Sequence, residues 1–346
     1  MSASSTGQVE GVDAGQASSF RVLLTHRRRA TGYREPLRPG SPGAAPAPGP
    51  GDSSSLTMLW IPPGRFWMGS AANEPERSDS EGPQHRVQLE GFFLAQTPIT
   101  QAQWREVAGW ETVARALDPE PSLFMASPQG QPARKAARGK TSGNDGSFVA
   151  RLLKGEAAFR LLEGEASTDQ RPVEQVSWPD AMEFCARLSQ RTGRLYTLPS
   201  EAQWEYACRA GTTTPFHFGA TISGDLANVN ATVPYANGPI GDHRKQTTPV
   251  GLFPANAWGL HDMHGNVWEW CLDHWHDSYA GAPADGRPWL EEKAAEEAPR
   301  LLRGGSWFAL PQNCRSAHRG EVRPGGRSYD GGFRVCCLPH PWPPAP

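Results

Sequence analysis

The sequence predicts an α+β protein with little regular secondary structure, built from small antiparallel sheets with two or three flanking helices. Three observations predict it. The chain of 346 residues holds 37 Gly and 33 Pro, about a fifth of its length against a usual ~12%, which argues against long helices. Helix start and stop signals bracket only a few stretches. Elsewhere, short apolar runs alternate with Pro, Gly and Asn, the pattern of strands joined by loops. Hydrophobic residues make up 38% of the chain and charged residues 20%, which is enough for a sizeable core.

Taken in order, residues 1–55 form an N-terminal segment that is Ser/Gly-rich to residue 19. FRVLLT (20–25) reads as a short strand, and 36–55 as a Pro/Gly/Ser-rich linker. The globular part is expected over 56–338, followed by a tail at 339–346. LTMLWIPPGRFWMGS reads as two strands around Pro62-Pro63-Gly64, and HRVQLEGFFLA (85–95) as another strand. Thr100 caps a helix that ends at Gly109. Residues 126–171 are basic and polar at first, and read as a surface insertion. SWPDAMEFCARLSQRTG (177–193) is a helix with Pro179 at its start and Gly193 at its end. LPSEAQWEYACRAG (198–211) is another, with a Ser200/Gln203 capping box and Gly211 as its stop. Residues 212–250 read as loops. NVWEWCLD, RLLRGGSW and the terminal GFRVCC read as strands.

Several function classes are disfavoured. A formal net charge of −2 gives no support to polyanion binding, and Arg27-Arg28-Arg29 lacks the interleaved aromatics of a nucleic-acid site. No run of 18 apolar residues is present, so no membrane span is expected. The N-terminus lacks a basic start and an apolar stretch, so no signal peptide is expected, and the location reads as cytoplasmic, or outside the cell by a route the sequence does not encode. Six cysteines occur without a CxxC pair or a compact Cys/His cluster. They read as buried apolar side chains, not as zinc ligands.

Six strings occur in a fixed order: MLWIPPGRFWMGS, PQHRVQLEGFFLAQTPIT, RPVEQVSWPDAMEFCARL, LPSEAQWEYACRAGT, GLHDMHGNVWEWCLD, and LRGGSW with a terminal GFRV. Together they resemble the formylglycine-generating-enzyme (sulfatase-modifying factor) family over roughly 56–125 and 172–337. The resemblance implies that family's variant of the C-type lectin fold. It also implies a test for chemistry. Family enzymes hold copper between two cysteines spaced C-x4-C after the GGS-aromatic motif, because soft thiolates bind Cu(I) tightly. Counted from Ser306, Ala309 stands at the first cysteine position and Cys314 at the second. The expectation is therefore no enzyme, and no required cofactor. A family-type oxidase or related modifying enzyme using Cys314 is the alternative. A purely structural adaptor is the third reading.

The segment WFALPQNCRSAHRGEVRPGGRSYDGGFRV resembles the variable region (about 304–335) of a diversity-generating retroelement variable protein. In such proteins a fixed frame surrounds arbitrary residues. Here the frame is GGSW, Pro311, Asn313 to Ala317, Arg319, Pro324, Arg327 and Gly332 to Val335. The arbitrary slots are Phe308, Ala309, Leu310, His318, Gly320, Glu321, Val322, Gly325, Gly326, Ser328, Tyr329, Asp330 and Gly331. All but Glu321 can be encoded by NNY codons. The leading expectation is a binding module that displays these slots as a contiguous exposed patch to an unidentified protein or small ligand. Trp307, Cys314, Ala317, Phe333 and Val335 are expected to face the core. The family resemblance further implies structural calcium at Asp262, Gly265, Val267 and Glu269, carboxylates and carbonyls being hard donors. A second group maps to Asn228, Val229 and Asp242.

Overall fold

The computed structural model describes residues 30–37, 55–124, 167–291 and 295–341. The strand expected at 20–25, the basic run 27–29 and nearly all of the 126–171 insertion lie outside them.

Five strands form the main sheet: β1 (Gly32–Pro36), β2 (Ser55–Ile61), β5 (Phe92–Ala95), β11 (Cys336–Leu338) and β6 (Leu195–Thr197), hydrogen-bonded in that order. All its pairings are antiparallel. Strands β3 (Gly64–Met68) and β4 (His85–Leu89) make a separate ribbon. The third sheet runs β10 (Gly331–Gly332), β7 (Trp268–His274), β8 (Arg300–Arg303), β9 (Gly320–Val322), and its short β10–β7 pairing is parallel. The run 85–95, read from sequence as one strand, is two strands serving two sheets. Only the tertiary pairing separates them.

Among the described residues, three helices flank the sheets: α1 (Gln101–Ala108), α2 (Trp178–Thr192) and α3 (Glu201–Arg209). Their starts follow from local chemistry. Thr100, Ser177 and Ser200 each accept a hydrogen bond from the third helical amide, while Gln103, Asp180 and Gln203 reach back to the cap residue's own amide. Gly193 ends α2 in the left-handed conformation. At the end of α3, Ala210 takes that conformation one residue before the expected Gly211.

The main sheet is covered on both faces, as the alternation of side chains along its strands dictates. Leu56, Met58, Ala95 and Cys337 pack with α1 and α2 through Trp104, Phe184, Leu188 and Phe333. Leu59, Ile61, Leu94 and Cys336 face the opposite way, onto Trp204, Cys208 and Leu260. The linker expected from residue 36 starts later. Pro36 pairs with Ser55, and Leu37 is fully buried in the core. Tyr33 of β1 reaches across the sheet face, its hydroxyl 2.9 Å from that of Tyr196 on β6.

Candidate functional site

The site is built where β8 leads into the loop beginning at Gly304. Its turn requires glycine. Gly304 and Gly305 have φ of 93° and 71°, and a Cβ on Gly305 would lie 2.3 Å from the Cys314 sulfur. The turn carries Trp307 inward, 2% exposed. From there, the loop is held by buried ion pairs. Arg303 binds Glu201 and Glu205 at 2.9 and 2.6 Å. Arg315 grips Glu81 with two bonds of 2.6 and 2.8 Å and reaches Glu74 at 2.6 Å. Arg319 binds Glu201 at 2.7 Å and donates to the carbonyls of Ser80 and His276. Burial opposes the charge on Glu81, yet hydrogen bonds from His318 and Arg315 hold its carboxyl far below the usual range. Trp307, Cys314, Ala317, Phe333 and Val335 are buried, the positions expected of a frame.

The slot positions divide three ways. Glu321, Val322 and Gly325 are exposed; Phe308, Leu310, His318, Gly320, Gly326, Ser328 and Tyr329 are half-buried. Ala309, Asp330 and Gly331 are buried, which corrects the reading of a contiguous exposed patch. Ala309 donates to Ser306, accepts from the Asn230 amide, and packs with Phe216, Val229 and Cys314. Asp330 accepts from the hydroxyls of Ser306 and Ser328, and burial pushes its carboxyl up. Gly331 lies in β10 against Trp268. His318 stacks near Trp268 and sits 3.7 Å from Glu81, more a support than a display residue.

What the loop presents is a pair of half-buried rings, Phe308 and Tyr329, resting on the buried Trp307. The rings of Trp307, Phe308 and Tyr329 meet pairwise at 5.5, 5.6 and 5.9 Å between centroids. His243 lies 5.7 Å from Trp307 and 5.9 Å from Phe308, and Phe124 meets Trp307 edge-on at 5.5 Å. Sequence reasoning missed His243 and Phe124. One sits in a loop without periodicity and the other at the edge of the insertion, so neither carried a local signal. Burial and the Lys245 charge lower the His243 pKa, so the ring is uncharged at neutral pH.

The residues do not fit a two-thiolate copper centre. Position 309 has no sulfur. The Cys314 thiol is fully buried, points a hydrogen bond at the Leu310 carbonyl 3.6 Å away, and is pushed up to about 12 by burial. Nor does calcium fit at Glu269. Both its oxygens are taken by Arg334, at 2.6 and 2.7 Å, and one also by the Trp204 indole at 2.7 Å. Asp262 accepts from the Gly251 amide, and the Gly265 carbonyl from the Val267 amide. Among the described residues, no three His, Cys, Asp or Glu side chains group as metal ligands. At the second implied group, Asn228 Oδ1 is buried without a hydrogen-bond partner, which suits an oxygen-seeking cation, but Asp242 is exposed.

A loop-built, ion-pair-braced aromatic face on a C-type-lectin-like scaffold defines the class: a modifying-factor type of domain. The chain belongs to the sulfatase-modifying factor enzyme 1-like domain family, which matches residues 45–337. The formylglycine-generating enzyme of Mycobacterium tuberculosis is 34% identical over 291 residues, covering 78% of this chain and 91% of the relative. PvdO from Pseudomonas aeruginosa superposes with a TM-score of 0.58 at 28% identity, covering 83% of this chain and 96% of that one. Treponema denticola variable protein 1 does so with 0.56 at 23% identity, covering 82% and 96%, a likeness of fold. The expectation of a non-enzyme is thereby overturned, because the family and this relative are named for enzymes. The physical error was one of scope. Ala309 removes one ligand of one cofactor, which argues against that copper geometry and not against catalysis on the scaffold. No helix among the described residues is long and apolar enough to cross a membrane.

Proposed function

We propose that the chain is a modifying enzyme of the formylglycine-generating family that binds a cysteine-containing polypeptide across Phe308 and Tyr329, the half-buried rings that rest on Trp307. The observation that carries this reading is the braced aromatic face itself. Buried Arg303, Arg315 and Arg319 fix the loop beneath, so rigid rings are offered at little ordering cost. The 34% identity to a formylglycine-generating enzyme supports the substrate class. No step is assigned to a copper pair. The chain's own residues bind and orient: the rings exclude water, and uncharged His243 is placed to accept a proton at the face. The test is mass spectrometry of cysteine-containing peptides incubated with the protein and oxygen, with copper(I) or iron(II) added in turn. A mass change that requires the protein and is lost in a Phe308→Ala/Tyr329→Ala variant is expected. Unchanged peptides under every condition would sink the enzyme reading.

A second reading is favoured by one specific observation. The frame residues are pinned by ion pairs, while ten of the thirteen slot positions reach solvent to some degree. That division suits a retroelement-diversified recognition surface. The readings share the face and differ in the source of its side chains. A nearby genomic copy of the 3′ end, differing only at adenines and beside a reverse transcriptase, is the expected mark. A locus without one removes this reading.

A further inference from the structure

Glu174 lies in RPVEQVSW, a motif that the reading above leaves unused. Its side chain is fully buried at a junction of three segments. Toward the segment before the insertion, Oε1 accepts from the Phe124 amide at 3.0 Å, and the Glu174 amide donates to the Ser122 hydroxyl. Toward the variable loop, the next residue, Gln175, donates its amide to Ser328 and accepts from Arg327, with φ at 64°. Phe124 is fixed from its other side by Gln101, whose amide group donates to the Phe124 carbonyl at 2.8 Å. Its ring then props Trp307 edge-on. The second carboxyl oxygen, Oε2, is buried with no hydrogen-bond partner.

We propose that Glu174 is a positioning residue of the recognition face, a proton-sensitive clasp that holds Phe124 against Trp307. The geometry gives the reason. A proton on the carboxyl lets it stay in this buried junction while Oε1 still accepts from Phe124. A carboxylate there would leave charge on an unpaired oxygen. The charged group that bears on it is Asp330, of like sign, from the stretch entering β10; from the 122–124 segment it faces the Leu123 and Phe124 amides and the Ser122 hydroxyl. Burial, with Asp330 adding to it, pushes the carboxyl up to about 8. The clasp therefore holds at neutral pH and loosens as pH rises through that value, which shifts Trp307 and the rings on it. The consequence for binding rests on the proposed face, but the clasp itself is read without substrate.

The test uses full-length protein labelled with 5-fluorotryptophan, the Trp307 resonance being assigned by Trp307→Phe. In the wild type that resonance moves with a midpoint of about 8, apart from any His243 effect below its ordinary value. In Glu174→Gln, which stays neutral and keeps the acceptor, it does not move. A motionless wild-type resonance, or the same titration in Glu174→Gln, overturns the proposal. Should Glu174→Gln fail to fold by circular dichroism, Phe124→Leu decides. It displaces the Trp307 resonance and abolishes the titration near 8, and a retained titration overturns the clasp.

Discussion

Arg334 closes on Glu269 with two parallel hydrogen bonds, Nε to one oxygen at 2.6 Å and a terminal nitrogen to the other at 2.7 Å, both residues fully buried. The same guanidinium ties the carbonyls of Ala95 and His261, so the link between β10 and β11, the main sheet, the loop at His261 and the start of β7 are joined at one point. Breaking a buried pair leaves a charge uncompensated, at a cost of about 3–5 kcal/mol. Glu269→Gln is expected to lose that much in urea denaturation with chelator present. A loss seen only when calcium is supplied would return Glu269 to the role of metal ligand.

Frame and slot substitutions should separate in the same measurement. Arg319→Ala removes one of the two guanidiniums on buried Glu201, which keeps Arg303, and is expected to cost about 1.5–3 kcal/mol. Glu321→Ala and Val322→Ala touch exposed positions and should stay within about 0.5 kcal/mol. Asp330→Ala, which strands two serine hydroxyls, should cost about 1–3 kcal/mol. Equal costs across these sites would contradict the division between frame and surface.

Stability should fall as pH rises from about 6.5 to 8. Burial raises Glu174 to about 8, and burial, with Glu201 adding like charge, raises Asp273 to about 7. Each holds a proton in the native state that the unfolded chain has already released. The stabilisation is complete below the ordinary carboxylate range and is lost as pH climbs to the raised values. Buried His264, lowered to about 4, acts oppositely but only below about 6.5. Urea midpoints across this range should show the decline, and Glu174→Gln should reduce it. A flat profile would mean these carboxyls are already ionised in the folded protein.

Copper chemistry offers a gain-of-function test. The wild type is expected not to bind Cu(I) stoichiometrically at Cys314. Ala309→Cys places a second thiol in the same buried cluster as Cys314 and should create tight binding, removed again by Cys314→Ser. Strong copper binding by the wild type that is abolished by Cys314→Ser would show that one thiolate suffices.

Much of the fold was legible because its signals are local. Start signals reach only about three residues, so the starts of the three described helices could be read from Thr100, Pro179 and Ser200. The split of 85–95 between two sheets was not legible, because strand pairing is decided by distant partners: Val87 pairs with Phe66, and Leu94 with Leu59 and Cys336.

The site followed the same rule. By itself the sequence determined the family, the frame around the loop, and the missing sulfur at Ala309. The tertiary structure decided what those residues meet. It turned Glu269 from an implied calcium ligand into the partner of Arg334, buried Asp330 beneath Ser306 and Ser328, and brought Phe124 and His243 onto Trp307. A charge or ring takes its role from neighbours up to 241 positions away. Spacing along the chain does not encode that proximity; only packing of the whole core does.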